Sequence, residues 1–140
     1  AEGPRAAQAA LERLLETAGP FRSHEPDRFQ GAAQRLQFDC GEPEPCAAEL
    51  VDATGGQSLR LTSPGQVRTL ALRRSGLRFR YRGTEGPADA WPPASARRQA
   101  LRSVALVAGD APGGLALAEA RVWAEQPLAC QFDVILQDCR

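Results

Sequence analysis

The residues able to carry out acid–base or nucleophilic chemistry are few in this sequence of 140 residues. The single histidine, His24, lies between Ser23 and Glu25, and these are the side-chain types of a Ser–His–acid hydrolase site. Side chains of adjacent residues rarely meet in the geometry that such a site needs, and no nucleophile-elbow motif is present. The pattern favours an exposed loop histidine over a secreted hydrolase, so we expect no catalytic residue and no enzyme activity.

The carboxylates and glycines form no recognisable cofactor or metal site. Glu42 and Glu44 share a proline-rich loop, and Asp133 and Asp138 lie near the C-terminus, without the spacing of a calcium loop. Gly55-Gly56 is typical of a turn and not of a phosphate-binding loop. With one histidine and no Cys-x-x-Cys pair, zinc ligation is not expected either. The sequence therefore predicts neither a cofactor nor a metal ion.

Four cysteines, Cys40, Cys46, Cys130 and Cys139, predict disulfides and an oxidising compartment such as a periplasm. The first two flank Gly-Glu-Pro-Glu-Pro, which can close a short loop. The last two would lie about 30 Å apart in a straight strand and ~13 Å apart in a helix, whereas a bridge needs less than ~7 Å between Cα atoms. Two schemes remain: a local first bridge with a sharply bent C-terminal segment, or crossed bridges between the early loop and the C-terminal strand.

Arginine supplies every basic residue, and 17 basic against 17 acidic residues make the formal net charge zero. This balance argues against a strong field for nucleic acid. In the stretch Leu77–Gly83, Arg78, Arg80 and Arg82 alternate with apolar residues, which predicts a strand with the arginines on one face. A nucleic-acid platform needs stacking aromatics on that face, and here they fall on the other. A solvated face or a protein interface is favoured, with nucleic-acid binding as the alternative.

An amphipathic helix and a series of short strands must position these residues. Apolar residues recur at helical spacing over 5–18 and form one stripe of Ala7, Leu11, Leu14, Leu15 and Ala18. Gly19 and Pro20 end the helix. Strands are predicted at 47–52, 58–62, 66–73, 77–82 and 104–107, with Gly/Pro turns between them. Strands joined by short turns predict antiparallel sheet, and the class is α+β in one domain, 1–140.

Three further predictions concern how these segments pair. The runs 66–73 and 77–82 are expected to form a hairpin about Arg74-Ser75-Gly76. A loop follows from Gly83 to about Ala96 and holds Trp91, which could be a binding anchor or could fold back over a thin core. The segments 115–124 and 131–137 are expected to form a final antiparallel pair.

The assembled residues resemble the minor pseudopilins of bacterial type II secretion systems, especially the J-type subunit. The matching residues are Phe29-Gln30-Gly31, Leu36-Gln37-Phe38, Phe79 and Tyr81, Trp91-Pro92, Leu101, and the strand 104–107. The resemblance implies a pilin-like layout, in which an N-terminal amphipathic helix is followed by antiparallel β-sheet. Such proteins begin with a long hydrophobic helix that anchors them in the inner membrane. This chain lacks that helix, so we expect a periplasmic domain without its anchor.

The resemblance also implies a structural role in the tip complex of the periplasmic pseudopilus. The implied partners are other minor pseudopilins and secreted protein substrates, with no cofactor and no nucleic acid. The residues that this role would use as a partner interface are Ala7, Leu11, Leu14 and Leu15 on the helix, Arg78, Arg80 and Arg82 on the strand face, and Trp91 in the loop.

Overall fold

The computed structural model describes residues 3–16, 19–41, 43–94, 97–109, 115–122, 132–133 and 138–139. Helix α1 spans Pro4–Leu15. The strands are β1 (Phe29–Gly31), β2 (Arg35–Phe38), β3 (Cys46–Ala53), β4 (Gly56–Ser63), β5 (Gln66–Arg74), β6 (Leu77–Gly83), β7 (Gly86–Ala88), β8 (Leu101–Ala108), β9 (Leu115–Arg121), β10 (Phe132–Asp133) and β11 (Asp138–Cys139). Strands account for 54% of the described residues, so this part of the molecule is mostly β.

The expected α+β, pilin-like class is wrong. Two antiparallel sheets dominate the described residues, one ordered β1-β2-β3-β4-β5 and the other β7-β6-β8-β9, with a separate pair β10–β11. The 12-residue helix is short beside them. The chain changes sheet after β5, and the apolar faces of both sheets share one core with the helix, so the two sheets and not the helix determine the class.

Helix α1 packs against both sheets. Pro4 occupies the first turn, where its missing N–H costs no hydrogen bond. Ala7, Leu11 and Leu15 are completely buried, and Leu14 is partly buried against the same core. The helix contacts β9 in one sheet and β4 and β5 in the other. Its apolar stripe therefore closes the core between them, while the predicted helix end at Ala18 lies outside the described residues.

The strands β3, β4 and β5 form a meander that the alternation of the sequence predicts well. The segments predicted at 47–52, 58–62 and 66–73 lie within these three strands. Two-residue turns at 54–55 and 64–65 connect them, and Gly55 and Gly65 take the positive φ values of 86° and 74° that such turns require. Cross-strand pairs run without interruption from Ala53↔Gly56 to Ala47↔Thr62.

The hairpin expected between β5 and β6 is wrong, because the chain changes sheets there. β5 pairs with β4, whereas β6 pairs with β7 and β8. At the end of β5 the pairing jumps from Ser58↔Ala71 to Gln57↔Arg74, and Arg73 has a φ of 56°. This bulge bends the strand away from its partner. The Leu77 N–H then donates to Gln57 Oε1 at 2.8 Å. The first backbone donor of β6 is therefore bound to a side chain of β4 and not to the backbone of β5.

The second sheet differs from the sequence prediction at both edges. β7 lies inside the segment predicted as a loop, and it pairs with β6. β9 pairs with β8, and β10 pairs with β11 through Phe132↔Cys139, so the expected pairing of 115–124 with 131–137 is wrong for the residues that the structure describes. β10 and β11 run in opposite directions, as an antiparallel pair must.

One aromatic cluster joins the two sheets at the centre of the core. Phe21 lies 4.9 Å from Phe29 and 5.5 Å from Phe38, ring centre to ring centre. Phe29 meets the edge of Tyr81 at 5.9 Å.

Among the described residues, no helix is long and apolar enough to cross a membrane.

Candidate functional site

The residues closest to a hydrolase pattern are used for structure. Ser23 Oγ accepts a hydrogen bond from the Gln99 N–H at 2.9 Å and donates to the Arg97 carbonyl at 3.4 Å. Glu25 forms an ion pair with Arg22 at 3.5 Å. His24 is exposed in the turn between them. The serine therefore fastens this turn to the segment that leads into β8.

Carboxylate, histidine and cysteine side chains do not converge in the described part of the chain. No group of three or more of them is placed to hold a metal ion there. Two shallow depressions indent this part of the surface. One, of about 430 Å³, lies beside the turn between β3 and β4, and the other, of about 630 Å³, lies along β7 and Pro93.

Cys40 and Cys46 form a disulfide, with an S–S length of 2.11 Å and Cα atoms 5.8 Å apart. The local scheme for this pair is therefore confirmed, and the crossed scheme is wrong. The bridge closes the loop that connects β2 to β3. Cys130 and the side chain of Cys139 lie outside what the structure describes.

The three arginines of β6 lie on the outer face of their sheet but differ in environment. Arg78 donates from Nη1 to Asp89 and from Nε to the Gly109 carbonyl, both at 3.1 Å, and its side chain is only 16% exposed. Arg80 is half-buried, and its Nε is enclosed without a hydrogen-bond partner among the described residues. Arg82 is exposed. Of the three, Arg82 is the one that stands freely in solvent.

Stacking aromatics do not accompany these arginines. Six aromatic side chains have a described burial, and all six are buried: Phe21, Phe29, Phe38, Phe79, Tyr81 and Trp91. In the described residues the arginine face consequently offers charge without a stacking surface, which is a poor match to a single-stranded nucleic-acid site.

Trp91 is buried and forms part of a junction between the two sheets. Its backbone N–H and carbonyl exchange two 2.8 Å hydrogen bonds with Gly31 at the edge of β1. A Cβ built on Gly83 would lie 2.9 Å from the Trp91 ring, so only glycine leaves room for it. The indole Nε1 is enclosed and has no hydrogen-bond partner in the described structure. Trp91 therefore closes the core, as one of its two sequence interpretations has it, and is not exposed as an anchor.

Tyr81 completes this junction. A Cβ on Gly31 would overlap the Tyr81 ring, so the ring lies directly on the backbone of β1. The phenol donates to the Ala32 carbonyl at 2.7 Å. Burial raises the pKa of Tyr81 far above its ordinary value of 10.0. We call the set Phe29, Gly31, Tyr81, Gly83 and Trp91 the aromatic–glycine junction.

The helix residues proposed for partner contacts are largely enclosed within this chain. Ala7, Leu11 and Leu15 face its own core and have no exposed surface, so Leu14, which is partly buried, is the member of that set nearest to solvent. Any partner of the folded domain must meet other surfaces.

A glutamine network, buried at Gln57 and exposed at Gln34, is the feature that the sequence prediction missed. Gln57 Nε2 donates to Gln34 Oε1 at 3.1 Å, and Gln34 Nε2 donates to the Leu77 carbonyl at 3.0 Å. Together with the bond from the Leu77 N–H to Gln57 Oε1, this links β4, the β1–β2 turn and the first residue of β6. One feature of the sequence could have indicated this network. Gln57 precedes Leu59 by two residues, so in a strand its side chain lies on the same, apolar face as Leu59.

With this geometry defined, the chain was compared with known proteins. No family model, no curated protein and no solved structure matches it.

Proposed function

We propose that this chain is a non-enzymatic docking subunit, and that it works in the periplasmic pseudopilus of a type II secretion system as a minor pseudopilin bound to its sibling subunits. The proposal concerns function and partners. It rests on the residues that carry the sequence resemblance and does not use the pilin-like class.

The observation that carries the proposal is the aromatic–glycine junction. Three of the resembling segments, around Phe29, Tyr81 and Trp91, are far apart in the sequence, yet they meet there. Residues shared within a family for one structural purpose are expected to touch one another, whereas chance matches scatter over the molecule. The convergence therefore supports reading these segments as one inherited scaffold.

Three further features support a docking role in an oxidising compartment. The described depressions are shallow, and the serine nearest to the histidine is already committed to backbone hydrogen bonds. The Cys40–Cys46 disulfide would persist in a periplasm and be reduced in a cytosol. Attachment to the inner membrane by an apolar helix preceding Ala1 is part of the proposal, as are secreted proteins as transient partners.

The proposal is tested by co-purification. The domain is expressed in a periplasm together with the soluble domains of the other minor pseudopilins of the same secretion system, with a tag on one partner at a time. We expect a stable complex with at least one sibling in size-exclusion chromatography with light scattering. An unrelated periplasmic domain serves as the control bait. If the siblings bind one another while this chain elutes alone, the assignment is wrong.

A further inference from the structure

β5 leaves one edge of the five-stranded sheet open. It pairs with β4 and with no other described strand. The two-residue turn makes Ser63↔Gln66 a hydrogen-bonded pair, and such pairs alternate along the strand. The backbone groups of Gln66, Arg68 and Leu70 therefore point toward β4. Those of Val67, Thr69 and Ala71 point away from it.

Independent register data agree with this alternation. Across β3 and β4, the turn-flanking pair Ala53↔Gly56 is hydrogen-bonded, so even-numbered residues of β4 face β3. The odd-numbered residues of β4, such as Leu59 and Leu61, must then face β5, and they are the partners of Leu70 and Arg68. The outward direction of the Val67, Thr69 and Ala71 amides follows from both turns.

This edge is exposed and apolar at one end. Seven of the nine residues of β5 are exposed, and only Leu70 is fully enclosed. Val67 is 64% exposed and is the one exposed large apolar side chain among the described residues. Because the bulge begins after Ala71, the regular edge covers 66–71, about 20 Å at ~3.3 Å per residue.

The charge of the edge is entirely positive. β5 carries Arg68, Arg73 and Arg74 and no acidic residue. All three are exposed, and no ion pair joins them to another described residue. On the neighbouring strands, by contrast, Glu49 holds Arg35 at 3.2 Å and Arg60 at 3.5 Å.

These charges select between the two partners that an open edge could accept. A second copy of β5 would bring two positive strands together, and like charges on adjacent strands repel, which is a common means of preventing edge-to-edge association. An extended acidic segment would meet complementary charge and would also satisfy the outward backbone groups.

We propose that the β5 edge binds an extended acidic segment of a partner protein by strand addition. The backbone of Val67, Thr69 and Ala71 forms the ladder, and Arg68 and Arg74 pair with carboxylates of the segment. This inference rests on the proposed docking function and deepens it, because it names the surface and the chemistry of the partner.

The test uses the folded domain and a synthetic probe. The probe is an eight-residue blocked peptide in which glutamate alternates with threonine or valine, and its counterpart carries lysine in place of glutamate. Binding is followed by amide chemical shifts in two-dimensional NMR at low salt. We expect saturable binding of the acidic peptide, with the largest shifts at Val67, Thr69 and Ala71, and no binding of the lysine peptide.

Two charge-reversal variants separate location from net charge. Arg68→Glu with Arg74→Glu should weaken binding by about tenfold or more, which corresponds to the loss of two exposed ion pairs. Arg102→Glu with Arg121→Glu makes the same change in net charge on exposed positions of the other sheet, and it should bind as the unmodified protein does. Equal weakening by both variants would overturn the proposal.

A third variant tests the backbone ladder. Thr69→Pro removes an outward N–H that does not bond to β4, and proline is accepted at such positions of edge strands. A cooperative thermal unfolding transition establishes that the variant is folded. We expect this folded variant to lose peptide binding. Undiminished binding would overturn strand addition, as would a β5-dependent dimer of the free domain in sedimentation experiments.

The outcomes also distinguish this inference from the proposed function. If the sibling subunits co-purify with the Arg68→Glu, Arg74→Glu variant and the acidic peptide does not bind, strand addition at β5 is wrong and the docking function stands. If the peptide binds as expected but no sibling co-purifies, the surface is right and the pseudopilus assignment is wrong.

Discussion

Tyr81 connects three parts of the molecule through one side chain. Its ring packs on the backbone at Gly31 and meets the edge of Phe29, and its hydroxyl donates to the Ala32 carbonyl. The side chain belongs to β6, whereas its contacts belong to β1 and the residue after it. The alternation in the sequence predicts the inward direction of Tyr81. It does not reveal the glycine that receives the ring, because an isolated glycine in a short strand looks the same as a turn glycine.

The stability of the protein should decrease above pH 10 because of Tyr81. Burial raises its folded-state pKa above the ordinary value, so this contribution is fully present below about pH 10 and is lost as the pH rises further, because only the unfolded state releases the proton there. The expected slope is about 1.4 kcal/mol per pH unit. Urea unfolding at several pH values from 9 to 12 measures it.

The Tyr81→Phe variant is the control for this slope. The chain has one tyrosine and no lysine, so no other side chain has an ordinary pKa near 10. The variant should lose about 1 kcal/mol at neutral pH with the Ala32 hydrogen bond. It should show no comparable decrease above pH 10. If its alkaline slope equals that of the unmodified protein, the assignment to Tyr81 is wrong.

At the scale of elements, the strands can be predicted from the sequence but their distribution between sheets cannot. Period-two alternation and Gly/Pro turns locate β3, β4, β5 and β6, because these signals are local. The change of sheet after β5 depends on Gln57 reaching the Leu77 N–H, and glutamine is usually a surface residue with no such implication. β7 escapes prediction because Gly86–Ala88 reads as part of a loop rich in glycine and proline.

The glutamine network should contribute more to the free energy of unfolding than an ordinary surface hydrogen bond does. Gln57→Leu keeps the approximate volume of the side chain but leaves the buried Leu77 N–H without its acceptor, whereas the exposed Gln34 amide can turn to water. Unpaired polar groups of this kind cost about 1–3 kcal/mol of unfolding free energy. Chemical denaturation measures the loss. Gln37→Leu, on the outer face of β2, is the matched control and should change stability by no more than ~0.5 kcal/mol.

The same distinction applies to the candidate site. The sequence shows that a Cys40–Cys46 bridge can close a short loop, since the separation is six residues, but it does not decide between this bridge and the crossed pairs. The burial of Trp91 cannot be predicted from the sequence, since the same loop sequence is compatible with a tryptophan that is buried or exposed. Burial of the partner candidates on α1 is likewise a tertiary property: the stripe indicates which side packs, but not that both sheets of the same chain cover it.

At the scale of the whole molecule, one core holds α1 and both sheets together. The helix covers the core between β9 of one sheet and β4 and β5 of the other. In addition, the Gly31↔Trp91 and Arg22↔Ala100 bridges join segments from the two halves of the chain. The sheets therefore depend on each other for burial, and we expect them to unfold in one transition.

Shortening the helix side chain at the centre of this contact tests that dependence. Leu11→Ala, at a position with no exposed surface, should lower the unfolding free energy by about 2–5 kcal/mol. Leu14→Ala removes the same atoms from a partly buried position and should cost clearly less. Both variants should keep a single transition when fluorescence and circular dichroism are compared. Separate transitions would show that the sheets are independent.

The open edge of β5 also has a kinetic signature in the free protein. Amide protons of Gln66, Arg68 and Leu70 are held by β4, while those of Val67, Thr69 and Ala71 face water. Deuterium from the solvent should therefore replace every second amide proton of this strand quickly and leave the intervening ones protected. Strand β4 pairs with a neighbour on each side, so all of its amide protons should exchange slowly. Fast and slow amides would then alternate along β5 but not along the adjacent β4.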